Sequence, residues 1–264
     1  MNLFGMFRKR TKQAEPPSAV IFVDYEHWSI SLEKLYGMKP RVKERYNEIS
    51  KKYNIKKILF FGDFTNPTLR SQMDNIREIT NNIIDTANSG ASFKKDFTDF
   101  IMLDYIYQEA DEHPDIDTYI LFTGDGHFSS VTRYLKIRKQ KKVVVYGVKG
   151  AVSGKLKSIA DECIELPTVD DERGKYYDML IENFNYLFTK RQKKVYPTFF
   201  STIKNVASHY NVSEDNVRMA LQELIDMGVI IKKDERVDYN RTVKVLGVDW
   251  EQAIKHGLWS ADRA

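Results

Sequence analysis

The chain has 264 residues, 42% hydrophobic and 30% charged, with a net charge of +4 and a pI near 8.8. That is long enough for one large domain or two smaller ones, and no apolar run approaches the roughly 20 residues that a membrane span requires. Cys163 is the single cysteine, which excludes an intrachain disulfide framework and a thiolate zinc site.

The leader "MNLFGMFRKRTKQAEPPS", residues 1–18, sets Arg8, Lys9, Arg10 and Lys12 against Glu15 alone, so the rest of the chain is close to neutral. Net charge therefore makes no broad case for nucleic acid. The apolar part of the leader is too short for a signal peptide, and the segment reads as a flexible basic tail on a cytoplasmic protein.

From Ala19 to Leu166 short β-branched or aromatic runs alternate with helical stretches, the rhythm of an α/β domain with a mainly parallel sheet. The expected strands are "AVIFVD", "KKILFFGDF", "NIIDTA", "TYILFTG", "KVVVYGV" and a short "CIEL". Their nearly continuous apolar character indicates burial on both faces. Between them "EKLYGMKPRVKERYNEISKKY", "TDFIMLDYIYQEA" and "SSVTRYLKIRKQ" carry apolar residues at helical spacing.

The segment "PTVDDERG", residues 167–174, combines a proline, charges and a glycine without an apolar period and reads as a linker. A second domain is expected over 175–264: a helix in "KYYDMLIENFNYLFTKRQKK", a helix in "FFSTIKNVASHY", a turn capped by Ser213, a helix ending at Gly228, and two strands, "VIIKKD" and "TVKVLGV". That is the order of a winged helix-turn-helix. Arg218, Lys232, Lys233 and Arg241 are its candidate phosphate contacts, although basic and acidic residues nearly balance across this half. The run "KRQKK" at 190–194 is its densest basic patch.

In open parallel sheets ligands bind beyond the carboxyl ends of the strands, near the point where strand order reverses. Asp24 ends the first expected strand, Asp63 the second, and Asp125 follows "TYILFTG" through Gly124. Asp99 opens the helix of "TDFIMLDYIY", with Asp96 or Thr98 available to cap it. Carboxylates gathered on one rim repel one another unless a cation neutralises them, and oxygen ligands suit Mg²⁺ or Mn²⁺. Such an ion would polarise a phosphate and activate water. Asp63 reads equally well as a turn cap. Asp104 lies five residues beyond Asp99, about 140° away around a helix, and is expected to face elsewhere. In "TGDGHFSS", Thr123, Gly124 and Ser129 offer a hydroxyl, close backbone approach and a helix start to a phosphate.

The motifs "AVIFVDYEHW", "TDFIMLDYIY", "TGDGHFSSVTRYLKIRKQKKVVVYGV" and "VSGKLKSIADECIEL" resemble, in order and spacing, the NYN domain, a branch of the PIN-like nucleases. The resemblance covers 19–166. It implies a Rossmann-like three-layer α/β/α sandwich with an acidic metal pocket, metal-dependent ribonuclease activity, and Asp24, Asp99 and Asp125 as the acidic set, with Asp104 as an auxiliary member. The family often carries asparagine where this chain has His27, and a further acid where it has His127. These imidazoles read either as structural groups or as ligands and proton-transfer groups, and they are also compatible with a weakened nuclease.

The expected function is a metal-dependent endoribonuclease, using Mg²⁺ or Mn²⁺ and no small-molecule cofactor, whose C-terminal module holds RNA or DNA. The alternative is a nucleic-acid-binding regulator with a catalytically weakened NYN-like domain. A haloacid-dehalogenase-type phosphatase also begins with a strand ending in Asp, but wants a second Asp where this chain has Glu26. Sequence leaves the oligomeric state open.

Overall fold

The computed structural model describes residues 15–87, 97–190, 195–239 and 241–259. Residues 1–14 of the leader, Asp96, and 191–194 of the basic run lie outside the described residues. The chain divides into two compact units, Met1–Glu165 and Leu166–Ala264.

In the first unit β1 (Ser18–Asp24) runs directly into α1 (Tyr25–Tyr36), which Gly37 closes in the left-handed conformation at φ 60°. Pro40 lies in the gap before α2 (Val42–Ser50), so the stretch with helical spacing around it is two helices separated by a turn. Then come β2 (Asn54–Gly62), the short α3 (Pro67–Arg70) and α4 (Met73–Arg77), and β3 (Ile83–Asp85). They are followed by α5 (Phe97–Glu112), β4 (Thr118–Phe122), a 3₁₀ turn (Gly126–Phe128) and α6 (Ser129–Ile137). The unit ends with β5 (Lys142–Val148), α7 (Gly154–Ile159) and β6 (Glu162–Leu166).

The six strands form one sheet in the order β3-β2-β1-β4-β5-β6. The pairs β1–β2, β1–β4, β2–β3 and β4–β5 are all parallel. Strand order reverses between β1 and β4, where Asp24 aligns with Phe61 on one side and Val23 with Phe122 on the other. The carboxyl ends of β1 and β4 therefore flank the crevice that this topology provides. Helices cover both faces, and a core of Val20, Phe22, Leu121, Val143, Met102 and Val131 is sealed from solvent, which explains the unbroken apolar runs of the central strands.

The second unit begins with α8 (Val169–Asn185), continued by a π turn (Tyr186–Lys190). The stretch expected as a linker is therefore helical from Val169 onward. Thr168 and Asp171 form a reciprocal capping box, and Asp170, Asp171 and Glu172 occupy the first turn, where acids favour the helix dipole. The charge run that suggested a loop is a helix start, and Gly174 is buried within it.

Then follow α9 (Phe199–Tyr210), α10 (Glu214–Asp226), the antiparallel pair β7 (Ile230–Asp238) and β8 (Arg241–Val248), and α11 (Trp250–Lys255). Ser213 occupies the N-cap position of α10, but its side chain makes no capping hydrogen bond. Gly228, at φ 74°, ends that helix. Leu180, Phe184, Ile203, Leu221, Leu224, Ile230 and Leu246 form this unit's own core.

Candidate metal centre

The centre is built on the β1–β4 crevice. Asp24 is 5% exposed, and its Oδ1 accepts the backbone N–H of His27 at 2.9 Å, making it the N-cap of α1. Because α1 follows β1 without a loop, this carboxylate is fixed at the strand end. Across the reversal point, the Thr123 N–H donates to the Tyr146 carbonyl of β5 at 3.1 Å. The chain then turns: Thr123 Oγ1 accepts the Asp125 N–H at 3.1 Å, and Asp125 Oδ1 accepts the His127 N–H at 2.8 Å.

Gly124 is required at this turn. A Cβ there would stand 2.1 Å from the Ala151 carbonyl oxygen and 2.6 Å from His27 Nε2. The Gly124 carbonyl accepts the Ser153 N–H at 2.8 Å, so the loop after β5 is locked against the turn.

Three side chains converge beside it. Asp99, Asp125 and His127 each offer a ligand atom, and these atoms all lie within 4.8 Å of one another. His127 Nδ1 is 3.3 Å from Asp125 Oδ1 and 3.7 Å from Asp99 Oδ2. Asp99 is buried, Asp125 half-buried and His127 exposed, so the group opens to solvent on the histidine side. Two carboxylates and an imidazole are a donor set that fits Mn²⁺ or Mg²⁺, with room for water or substrate on the open side.

Asp24 stands outside this trio but within its field. Burial pushes its carboxyl up to about 8, against the opposing His27 N–H, and the negative charges of Asp99, Glu26 and Asp125 add to the rise. A cation among these acids would relieve that crowding. Glu26 is a member of the acidic group that sequence reasoning missed; its Oε2 also accepts the Asp63 N–H at 3.4 Å. The residue is the second of α1, in its first turn two residues past the Asp24 strand end, but α1 itself was not anticipated at that point.

The other expected site residues fall elsewhere. Asp63 accepts both the N–H and the hydroxyl of Thr65, so it caps its own turn. Asp104 is exposed and accepts from Gln108 Nε2 at 2.7 Å on the outer side of α5, as the helix angle requires. Thr123 and Ser129 are buried, at 1% and 2% exposure, and do not present their hydroxyls to a phosphate. Thr123 Oγ1 serves the turn, and Ser129 Oγ is sealed without a partner. His27 is held against Gly124 with Nε2 buried and unpartnered, and burial lowers its pKa although Asp125 opposes this.

In the second unit Arg218 lies over the Phe200 ring at 5.9 Å and 3.8 Å from Asp215 Oδ1. Lys232, Lys233 and Arg241 are exposed on the β7–β8 pair. Lys232 is opposite Leu246 and Lys233 opposite Val245, so the two neighbouring lysines point to opposite faces of the ribbon. The four cations do not share one face.

The NYN domain family model matches residues 18–167. Among solved structures, a protein of unknown function from Vibrio parahaemolyticus RIMD 2210633 matches with a TM-score of 0.54 at 21% identity, over 61% of this chain and 98% of that one. At that identity the likeness is one of fold. Comparison with curated proteins finds no match.

Proposed function

Because the chain belongs to the NYN domain family, a branch of the PIN-like nucleases, we propose that it is a metal-dependent endoribonuclease whose second unit holds nucleic acid. The observation that carries this reading is the convergence of Asp99, Asp125 and His127 within 4.8 Å at the strand-reversal crevice. A divalent ion held there supplies positive charge to a phosphodiester and an activated water for its hydrolysis. The chain's own contribution is position. Asp24 fixes the start of α1, the Thr123–Asp125–His127 turn aims two of the three ligands, and α5 delivers Asp99. His27, buried against Gly124, where burial favours its neutral form over the opposing pull of Asp125, supports the turn.

The second unit's order of helix, turn, helix and two-stranded ribbon supports a winged-helix reading. Exposed Lys232, with Lys244 on the same face of the ribbon, supports phosphate contact along that face.

The test is cleavage of end-labelled single-stranded RNA with Mn²⁺, with Mg²⁺ and with EDTA. Internal cuts that depend on the ion are expected. Uncut RNA with either ion, from protein that still binds the ion, would favour the second reading, a nucleic-acid-binding regulator. The observation on that side is that Asp24 engages His27 and lies outside the trio.

A further inference from the structure

In a helix-turn-helix the second helix is the one that enters a nucleic-acid groove, and α10 carries the wrong charge for that task. It holds Glu214, Asp215, Glu223 and Asp226 against Arg218 alone. Arg218 is already engaged: its Nε lies 3.8 Å from Asp215 Oδ1, and its guanidinium stands 5.9 Å from the Phe200 ring. Glu223 turns toward α8, where it accepts the Tyr177 hydroxyl and lies 3.8 Å from Arg173. Phosphates brought to α10 would face the remaining acids, so its outer side suits a partner that carries cations.

That outer side is one connected surface. Val217, Ala220, Leu221 and Leu224 are buried, while Asp215, Arg218, Met219, Gln222 and Asp226, at helical spacing on the other side, are all exposed. Gln222 Nε2 donates to Asp226 Oδ1 at 2.8 Å, and Arg218 joins this stripe to Phe200 at the start of α9. Two large apolar side chains stand on it, Phe200 at 66% exposure and Met219 at 59%. Lys204, one turn along α9 from Phe200, is exposed as well. Even with it, Glu214, Asp215 and Asp226 outnumber the bases of the face. A ring and an adaptable thioether framed by acids match a segment that offers apolar side chains next to cations.

One stretch of this chain has that composition. Residues 1–14, outside the described residues, set Leu3, Phe4, Met6 and Phe7 directly before Arg8, Lys9, Arg10 and Lys12, with no acid among them. We propose that the α9–α10 face docks the chain's own basic leader, with the leader's apolar residues on Phe200 and Met219 and its cations against Glu214, Asp215 and Asp226. The contact is independent of the nuclease reading. It withholds the leader's cations from nucleic acid and leaves phosphate contact in this unit to the β7–β8 ribbon.

The experiment uses the full chain. p-Benzoylphenylalanine placed at position 219 should crosslink on irradiation to residues 1–14, read by mass spectrometry of the digest. Trypsin cleavage at Arg8, Lys9, Arg10 and Lys12 is timed in parallel. Phe200→Ala with Met219→Ala, and separately Glu214→Gln with Asp226→Asn, should each speed it roughly ten-fold, the effect of losing an interface anchor. Added salt should bring the parent toward the charge variant. All four side chains are exposed, and thermal melts verify that the variants keep the fold. RNA affinity should not fall in either variant. A crosslink that lands outside residues 1–14, or cleavage equally fast in the parent and both variants, would overturn the proposal. If RNA binding weakens in the Phe200 and Met219 variant while leader cleavage is unchanged, nucleic acid occupies the face instead.

Discussion

The Asp24 carboxylate accepts the His27 backbone N–H at 2.9 Å while buried under the fields of Asp99, Glu26 and Asp125. One residue thus caps a helix and raises the electrostatic cost of the pocket. Its folded-state pKa, about 8, lies far above the roughly 3.9 of an unfolded Asp. Between those values the folded metal-free protein holds a proton that the unfolded chain lacks, so this group's contribution makes stability fall as pH rises from about 4 to about 8 and level off above. Asp24→Asn removes the ionisation and keeps the shape. The variant should gain stability over the parent as pH rises through that window, by an amount on the order of a few kcal/mol at pH 8. Denaturant midpoints of both proteins in EDTA across pH 5 to 9 measure this, and parallel profiles would show that the carboxyl is not crowded.

The metal assignment predicts which acids matter. Asp99→Asn and Asp125→Asn each remove a ligand charge without changing volume, and both should lose most Mn²⁺ affinity and cleavage. Asp104→Asn, whose carboxylate faces Gln108, should keep both. Saturating Mn²⁺ should also stabilise the parent protein by about 2.7 kcal/mol at a hundred times Kd, and these two ligand variants much less. Calorimetric titration with Mn²⁺ and thermal melts provide the readouts. If Asp104→Asn is impaired as much as Asp99→Asn, the ligand set is wrong.

His127 is the only imidazole in the trio and its most exposed member. Imidazole suits transition ions, and a carboxylate in its place suits Mg²⁺ better. His127→Asp should therefore shift the ratio of Mn²⁺ to Mg²⁺ dissociation constants toward Mg²⁺. His27→Asn should leave that ratio alone, because His27 is packed on Gly124 and outside the trio. An unchanged ratio in His127→Asp would remove the histidine from the ligand set.

The turn that aims these ligands depends on Gly124. A Cβ at 2.1 Å from the Ala151 oxygen meets backbone that cannot swing aside as a flexible side chain would. Gly124→Ala should cost about 1–3 kcal/mol or more, the range for overpacking, and displace the ligands with it. At Gly154 an added Cβ meets nothing within 4 Å, so Gly154→Ala should be near neutral. Urea denaturation of the two variants compares them directly, and equal stabilities would mean the turn yields.

The sheet was legible because β1, β4 and β5 are buried on both faces, which leaves unbroken apolar runs whatever the detail of packing. Asp24 and Asp125 were legible for a related reason: polar residues at the ends of such runs stand out. Helix capping is an ordinary role for an aspartate at a strand end, but the helix that Asp24 caps was hidden, since α1 starts without any loop and sequence shows no break to mark it. Ser153 was also hidden, because its tie to Gly124 runs through a backbone N–H, which leaves no side-chain pattern. Residues 167–174 misled for an electrostatic reason: acids that favour a helix start look, in sequence, like the charges of a linker. On β7, grouping Lys232 with Lys233 by charge ignored the two-residue period of a strand.

That period yields the last prediction. Lys232 shares its face of the ribbon with Arg236 on β7 and Lys244 on β8, interrupted by Asp234 and bounded at the helix end by the core residues Ile230 and Leu246, whereas Lys233 shares the other with Glu235, Val243 and Val245. Phosphates are therefore expected along the Lys232 face. Arg236 is already braced there, its Nη2 donating to the Tyr239 carbonyl at 2.5 Å and its guanidinium 5.4 Å from the Tyr239 ring, which is 89% exposed. In the full chain, Lys232→Ala with Lys244→Ala should reduce the salt dependence of RNA binding by about 0.7 per lost contact, or about 0.9 if the ligand is duplex DNA. Lys233→Ala should leave the slope unchanged. Cleavage at saturating substrate should survive in all of them, since these side chains take no part in the chemistry. If Lys233→Ala lowers the slope and the Lys232 pair does not, the opposite face carries the phosphates. If neither moves it, the ribbon does not touch nucleic acid, and a protein partner becomes the better account of the second unit.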